Sequence, residues 1–245
     1  MPAPFAPCVV IPTYDNTATI GQVVAAVREK IADVIVVDDG SGAQGRDALD
    51  ELGRSKLAHV VHRAANGGKG AAVKTGFEEA RARGYSHVLQ VDADGQHDLS
   101  DLGHFLETAR QNPEALVLGY PVFDASAPRG RLIGRQITVF WTTVETGGRA
   151  ITDAMCGFRV YPLEAALKAS RGTGDRMEFD IEIAVRMVWD GVATLNLPTK
   201  VRYIPGGLSH FHMFHDNVRI SWMHTRLVVR AILRLFTWPF RKLFR

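Results

Sequence analysis

The sequence of 245 residues has few features of a secreted, disulfide-bonded or membrane-spanning protein. It contains only two cysteines, Cys8 and Cys156, far apart in apolar surroundings, so neither a disulfide framework nor a zinc site is predicted. No run of about 18 apolar residues occurs, which argues against a spanning helix. The first residues, MPAPFAPCVVIPTYD, lack the basic and long apolar segments of a secretory signal. We therefore expect a cytoplasmic protein with a core of its own.

Acidic residues are absent beyond Asp216, although the chain carries a net charge of only +3. The basic residues beyond that point are Arg219, Arg226, Arg230, Arg234, Arg241, Lys242 and Arg245. All 26 acidic residues lie in 1–216, so this part is slightly acidic and the tail is a basic appendage. The distribution favours a tail that contacts an anionic surface over a domain that binds nucleic acid.

Continuous apolar segments alternate with amphipathic ones along most of the chain. The segments typical of buried strands are 8–12, 33–39, 58–62, 86–94, 114–120, a turn and strand within 153–162, and 194–204. The segments typical of helices are 20–30, 45–54, 68–84, 99–111, 134–146 and 177–191. This order predicts an α/β fold with a mostly parallel central sheet and helices on both faces.

Polar clusters follow three of the predicted strands, at 13–16, 38–41 and 92–97. Ligands bind beyond the carboxyl ends of the strands in open α/β sheets, so the clusters predict one cleft.

The segment VLQVDADGQHD places Asp92 and Asp94 directly after an apolar strand. Two carboxylates at this spacing can ligate one hard cation such as Mg²⁺ or Mn²⁺. A solvated turn is one alternative, and a cap on the helix that starts near Leu99 is another. Asp98 is the better cap, which leaves Asp92 and Asp94 for a metal.

The glycine-rich segment NGGKGAAVKTG (66–76) is not a Walker A motif, because Gly70 follows Lys69 where that motif has Ser or Thr. It can present backbone N–H groups and a lysine to a phosphate at a helix N-terminus, or it is a plain loop. The segment VVDDGS either forms an Asp-Gly turn or provides a carboxylate that accepts hydrogen bonds from a base or a ribose.

In chain order, VVIPTYDN, IVVDDGS, NGGKGAAVKTG, VDADGQHD and CGFRVYP resemble family 2 glycosyltransferases. The resemblance is closest to the branch of dolichol-phosphate mannose synthases and related polyprenyl-phosphate sugar transferases, and it covers roughly residues 8–190. It implies a GT-A (Rossmann-like) fold, a nucleoside-diphosphate-sugar donor, a divalent metal (Mg²⁺ or Mn²⁺) and inversion at the anomeric carbon.

The same resemblance implies roles for individual residues. Such relatives often have Asn-Glu where this chain has Asp15-Asn16. The implied positions are Pro12 and Tyr14 in the nucleoside pocket, Asp39 near the base, Lys69 and Gly70 by the nucleotide, and Asp92, Asp94 and Gln96 by the metal and the diphosphate.

Arg129, Arg131 and Arg135 lie together before a predicted helix. In the lipid-phosphate branch, arginines of this region meet the acceptor phosphate, for which a guanidinium group is well suited. The alternative is a solvated basic loop.

A phosphate acceptor is ionised near neutral pH and needs little or no general base, whereas a hydroxyl acceptor needs one. The candidate bases are Asp153, Glu178 and Asp180. Helical spacing puts Glu178 and Glu182 on one face and Asp180 roughly opposite, so only one set can face the cleft.

The segment GGLSHFHMFHDN (206–217) contains His210, His212 and His215, whose spacing is not that of a closed zinc site. We expect it to form a loop over the donor, with His210 at a phosphate.

The tail combines a stripe of arginines with a wide apolar face and tryptophans near both ends. This pattern is typical of a helix that lies on an anionic membrane; the alternative is a helix packed on the protein's own core or on a dimer partner. Pro239 is predicted to kink or end the helix. The predicted organisation is a GT-A domain over 1–216 and a basic amphipathic helix over 217–245.

Together these features predict a glycosyltransferase, peripherally associated with the inner face of the membrane, that moves a hexose to polyprenyl phosphate or another lipid-linked acceptor. The alternatives are a transferase that acts on a lipid or glycan hydroxyl with a carboxylate base, and a nucleotide-sugar-binding protein without turnover. A sugar nucleotidyltransferase is disfavoured because PTYDN stands where that class has a Gly-rich segment with a basic residue. A homodimer and a membrane-protein partner stay open.

Overall fold

A mixed seven-stranded sheet forms the centre of the protein. The computed structural model describes residues 4–123, 129–148, 150–202 and 211–243. The strands are β1 (Pro7–Thr13), β2 (Val34–Asp38), β3 (His59–His62), β4 (His87–Gln90), β5 (Leu116–Phe123), β6 (Arg159–Pro162) and β7 (Thr194–Val201). Their order is β3-β2-β1-β4-β6-β5-β7, and every neighbouring pair is parallel except the two that involve β6. The predicted mostly parallel sheet is therefore confirmed.

Helices cover both faces of this sheet. They are α1 (Ile20–Arg28), α2 (Ala43–Arg54), α3 (Lys69–Ala82), α4 (Leu102–Gln111), α5 (Arg129–Thr146), α6 (Leu163–Ser170), α7 (Phe179–Trp189) and α8 (Met213–Leu243). Successive residues of a strand point to opposite faces. In β1, Cys8 and Val10 pack with α3, α6, α7 and α8, whereas Val9 and Ile11 pack with α1, α2 and α4. Two separate apolar layers result, as predicted.

Some boundaries differ from the sequence prediction. Strand β4 ends at Gln90, four residues earlier than predicted; Val91 N still donates to Val10 O, and the chain then enters a turn that contains Gly95 with a φ of 71°. Helix α6 was not predicted; it begins directly after Pro162, which stands at its N-cap. Helix α8 continues past Pro239 to Leu243, so of the two predicted effects of this proline, ending the helix is wrong and kinking it stays a prediction.

The first half of α8 packs into the body of the protein. Ile220, Met223 and Leu227 are buried and belong to the same apolar layer as α3 and α7. The alternative in which the tail helix packs on the protein's own core is confirmed for this stretch. The domain boundary predicted between 216 and 217 falls inside α8.

Replacing Leu227 by Ala should lower the free energy of unfolding by roughly 2–5 kcal/mol, as for other buried leucines. The matched control is Val229→Ala in the same helix, where the side chain is 52% exposed and the effect should stay within about 0.5 kcal/mol. Urea unfolding followed by circular dichroism measures both. Equal effects would show that α8 does not depend on this packing.

Candidate active site

The carboxyl ends of β1, β2 and β4 open into one cavity of about 450 Å³, as the three polar clusters predicted. The predicted site residues that line it are Pro12, Tyr14, Asp39, Lys69, Asp92, Asp94, Gln96, Arg135 and Asp180. Helix α8 completes one wall with Asp216, Arg219 and Ile220. The tail helix is therefore part of the cavity as well as of the core.

A lysine bridges two carboxylates at the base of the cavity. Lys69 is the first residue of α3, and its Nζ lies 2.7 Å from Asp92 Oδ1 and 2.8 Å from Asp180 Oδ2. Asp180 also accepts a hydrogen bond of 3.1 Å from the side-chain amide of Gln90. Of the acidic residues of α7, Asp180 therefore faces the cavity. Glu182 lies on the other side of the helix, where its carboxylate accepts hydrogen bonds from Gly174 N and from the guanidinium group of Arg186.

These charges shift one another's protonation equilibria. Burial opposes the charged form of Lys69, but Asp180 and Asp92 outweigh it and hold the pKa of the lysine above its usual value. Burial likewise opposes ionised Asp92, and the Lys69 charge outweighs it, so the pKa of Asp92 lies below its usual value. Burial and the neighbouring Asp92 raise the pKa of Asp94. A cation between the two aspartates would favour the ionised form of both.

The aspartates in the acidic turn after β4 have two different structural roles. Asp94 Oδ1 accepts a hydrogen bond of 3.0 Å from Gln96 N, which closes the turn around Gly95. Asp98 Oδ1 accepts from Ser100 N at 3.1 Å at the start of the next helical turn. The prediction that Asp98 is the cap is therefore confirmed.

The donor set suits a hard divalent cation. Asp92, Asp94 and Gln96 offer oxygen atoms to the same cavity, and oxygen is the ligand that Mg²⁺ and Mn²⁺ prefer. Within the described ranges, no group of three or more His, Cys, Asp or Glu side chains surrounds one metal position.

The loop that precedes β6 lies directly against the carboxylate of Asp92. A Cβ at Gly157 would collide with the carboxylate of Asp92, so a side chain at this position would displace that carboxylate. Arg159 is fully buried and donates to Cys156 O (2.9 Å), Ala154 O (3.1 Å) and Asp180 O (2.7 Å). This arginine ties the loop to the start of α7.

Asp39 organises the glycine-rich loop. Its carboxylate accepts from Gly67 N (3.0 Å) and Gly68 N (2.6 Å), and its Oδ1 lies 2.9 Å from Arg63 Nε. Gly68 has a φ of 104°, a conformation that favours glycine. The contact of Asp39 with a base stays a prediction.

Gly70 does not line the cavity, although the resemblance implied a place beside the nucleotide. It is buried where α3 crosses α7, and a Cβ there would lie 2.5 Å from the Cβ of Phe179. Close helix packing is thus the physical reason for glycine at this position. Gly68 lines the cavity instead.

On the predicted acceptor side, Arg135 and Asp153 form an ion pair of 2.6 Å. Asp153 also accepts from Met155 N (2.8 Å) and Cys156 N (2.7 Å) and does not line the cavity. Its oxygens are occupied, which weakens its candidacy as a general base. The side chain of Arg131 lies outside the described part of the structure, as does the predicted phosphate contact His210.

Among the cavity residues, His97, Arg176 and Arg219 were given no role in the site at the level of sequence. His97 lies with its Nε2 3.8 Å from Asp92 Oδ2, and its position directly after Gln96 in DADGQHD was the available signal. Arg219 was counted with the tail, and Arg176 stood in a loop without a motif. Both line the cavity only because α7 and α8 fold back over it.

Comparison with known proteins adds to this geometry. Residues 8–166 match the family model described as Glycosyl transferase family 2. Glycosyltransferase AglJ from Haloferax volcanii is 30% identical over 212 residues, which cover 84% of this chain and 66% of the relative. Polyprenol monophosphomannose synthase from Mycolicibacterium smegmatis is 31% identical over 201 residues, which cover 78% of this chain and 75% of the relative. Undecaprenyl-phosphate mannosyltransferase from Micrococcus luteus is 28% identical over 169 residues, which cover 66% of this chain and 65% of the relative.

Solved structures agree on the fold. Glucosyl-3-phosphoglycerate synthase from Mycobacterium tuberculosis, in complex with uridine diphosphate, superposes with a TM-score of 0.63 over 92% of this chain and 79% of that chain. The sequence identity is 17%, so the likeness concerns the fold alone. The GT-A fold that the resemblance implied is confirmed.

Replacing Lys69 by Met should destabilise the metal-free protein by roughly 2–4 kcal/mol, because Asp92 and Asp180 lose their shared cation in a site where Lys69 is only 17% exposed. The pKa of Asp92 is lowered in the folded protein, so this stabilisation is present above the ordinary carboxyl pKa of about 3.9 and is lost as the pH falls below it. Urea unfolding at neutral and acidic pH measures the difference.

The matched control for this prediction is Lys168→Met. Its ion pair with Asp190 has a similar length of 3.0 Å, but the lysine is 70% exposed. The expected effect is about 0–1 kcal/mol. A loss as large as that of Lys69→Met would contradict the special role of the buried bridge.

Proposed function

The chain belongs to glycosyl transferase family 2, and on that basis we propose that it transfers a hexose, with inversion, from a nucleoside-diphosphate sugar to a polyprenyl phosphate or another lipid-linked acceptor. The observation that carries the proposal is the composition of the cavity. It joins an acidic, oxygen-rich end (Asp92, Asp94) to cationic side chains from other elements (Arg135, Arg176). Such a cavity suits a metal-bound diphosphate together with a second phosphate.

The names of the relatives support a lipid-phosphate acceptor. Two of them are a polyprenol monophosphomannose synthase and an undecaprenyl-phosphate mannosyltransferase. In this chain, Arg135 is held against Asp153 and its guanidinium group lies 5.3 Å from the centre of the Phe123 ring. A guanidinium group held in this way is preorganised for a phosphate oxygen.

Five of the cavity residues have distinct roles in the proposed reaction. Asp92, Asp94 and Gln96 would hold Mg²⁺ or Mn²⁺, which supplies positive charge to the diphosphate leaving group. Lys69 keeps Asp92 ionised and aimed into the cavity. Asp39 would hold the loop before α3 beside the nucleotide by accepting hydrogen bonds from Gly67 N and Gly68 N.

The acceptor chemistry follows from the state of the carboxylates. A phosphate acceptor brings an ionised oxygen as its nucleophile, so no residue has to remove a proton. Asp180 is held by Lys69 and Gln90, and Asp153 accepts hydrogen bonds from the loop and from Arg135. The oxygens of Asp153 and Asp180 are thus engaged, and Glu178, the third candidate base, does not line the cavity, which favours a phosphate over a hydroxyl group.

The deciding experiment is a screen of UDP- and GDP-hexoses with Mg²⁺ or Mn²⁺ and a polyprenyl phosphate, with the product identified by mass spectrometry. We expect a hexosyl phospholipid, and Asp94→Asn should lower kcat/KM on the order of 10²–10³-fold, because metal stabilisation of the leaving group contributes several kcal/mol. Asp98→Asn is the matched control, since this aspartate caps a helix; its effect should be a few-fold at most. Transfer to a hydroxyl group alone, or no transfer, would contradict the proposal.

We further propose that the chain acts at the cytoplasmic face of a membrane as a peripheral protein, with exposed basic side chains of the tail facing anionic lipid. In the part of the chain that the structure describes, no helix is apolar enough over 18 residues to cross a bilayer. Arg219 and Arg230 are exposed on α8. Exposed arginines near an anionic surface each contribute about 1 kcal/mol of binding.

Neutralising Arg230, Arg241 and Lys242 together to Gln should weaken binding to anionic vesicles by about 100-fold, from about 1 kcal/mol per charge. The control neutralises Arg54, Arg81 and Arg110, which are exposed arginines of α2, α3 and α4 and change the net charge equally. Vesicle sedimentation measures both. An equal loss in the control would mean that total charge, not the tail, governs binding.

A further inference from the structure

Helix α5 has its polarity reversed relative to an ordinary surface helix. The side that faces the protein carries Thr138, Thr142 and Glu145, which are 4%, 0% and 2% exposed. The side that faces solvent carries Ile133, Ile137, Phe140 and Val144, which are 64%, 55%, 59% and 46% exposed. A helix of a soluble protein normally buries its apolar stripe and exposes its polar one.

The polar side of α5 is held by specific partners. Glu145 lies 2.7 Å from Nδ1 of the buried His224 on α8, and its backbone oxygen accepts a hydrogen bond of 2.8 Å from the indole N–H of Trp189. Arg135 on the same side pairs with Asp153. Turning the helix to bury its isoleucines would break these contacts, so its apolar side is fixed outwards.

Helix α8 presents a second exposed apolar side. Phe214, Val218, Trp222, Val229 and Leu233 are between 52% and 75% exposed, on the side opposite Ile220 and Leu227. The two helices contact each other, and the rings of Trp141 and His224 lie 6.4 Å apart between them. We call the exposed apolar residues of α5 and α8 together the outer face.

Both helices reach the cavity and contact each other away from it. Arg135 near the start of α5 and Ile220 near the start of α8 both line it, and Glu145 meets His224 further along. The outer face therefore begins beside the cavity entrance. An acceptor held in a layer against this face would be delivered to the cavity.

The exposed charges on the described residues of α5 and α8 have one sign. The only carboxylates in the sequences of α5 and α8 are Glu145 and Asp216, and both are buried. Arg219 and Arg230 are exposed on α8. An apolar surface flanked by cations and free of exposed carboxylates is complementary to the interface of an anionic bilayer.

We propose that the outer face inserts into the interfacial layer of an anionic lipid bilayer, with α5 contributing apolar side chains in addition to α8. A second copy of the chain fits less well, because a symmetric contact would place the same arginines from both copies together without a carboxylate to pair with them. The inference deepens the proposed membrane contact of the tail, and it does not depend on the transfer chemistry.

The test measures partition of the full chain into vesicles of phosphatidylcholine with phosphatidylglycerol. Ile137→Ser and Phe140→Ser should each weaken partition about 10-fold, because each removes a large apolar side chain from lipid. The matched control is Leu57→Ser, an exposed leucine (37%) that follows α2 on the opposite face of the sheet; it should leave partition unchanged. All three positions are exposed, so unfolding curves should match the wild type.

A second readout locates the contact. Vesicles of brominated lipids should quench the tryptophan fluorescence of the wild type, and Trp141→Phe should remove part of that quenching. Partition of Ile137→Ser and Phe140→Ser equal to the wild type, or absence of wild-type partition, would overturn the proposal. So would a lipid-free wild-type dimer that Phe140→Ser dissociates in light scattering, since that result assigns the face to a second copy.

The outcome is separable from that of the proposed function. Transfer to a short, water-soluble isoprenyl phosphate should proceed equally in the wild type and in Ile137→Ser, because this reaction needs no membrane. Failure of the wild type with every soluble phosphate acceptor would count against the proposed function and would leave the partition result intact.

Discussion

The ammonium group of Lys69 holds together two carboxylates that come from distant parts of the chain, and the cavity is built around this contact. Asp92 follows β4, and Asp180 lies in the first turn of α7. Without the cation between them, two partly buried negative charges would repel each other and the loop before β6 would lose its support. The close fit of Gly157 under Asp92 and the buried Arg159 under Asp180 depend on the same arrangement.

A second set of buried charges extends this framework from the cavity to the tail. Glu182, two residues after Asp180 on α7, accepts from Gly174 N and pairs with Arg186 and with Arg226 of α8. Helix α7 thus presents one carboxylate to the cavity and another to α8. The wall of the cavity, the docking of α8 and the outward orientation of its apolar side are consequences of one packing arrangement.

Much of the fold followed from local patterns. Apolar runs and helical periodicity located β1, β2, α1 and α3 within a few residues, because burial on both faces of a sheet leaves a clear signal. Helix α6 and the start of α5 at Arg129 were missed. In α5 the periodicity was present, but the apolar stripe is the exposed one, so the usual rule that the apolar side is buried assigns the wrong face.

The sequence by itself determined the family, the mostly parallel sheet and the place of Asp92, Asp94 and Lys69 at its edge, because each of these depends on residues close together in the chain. The features that depend on long-range contacts were decided only by the tertiary structure. It placed Asp180 rather than Glu182 towards the cavity, assigned Asp153 to Arg135 and the loop, and brought Arg176 and Arg219 to the same cavity. The packing of a helix on distant elements selects which of its sides is buried, and no local pattern contains that information.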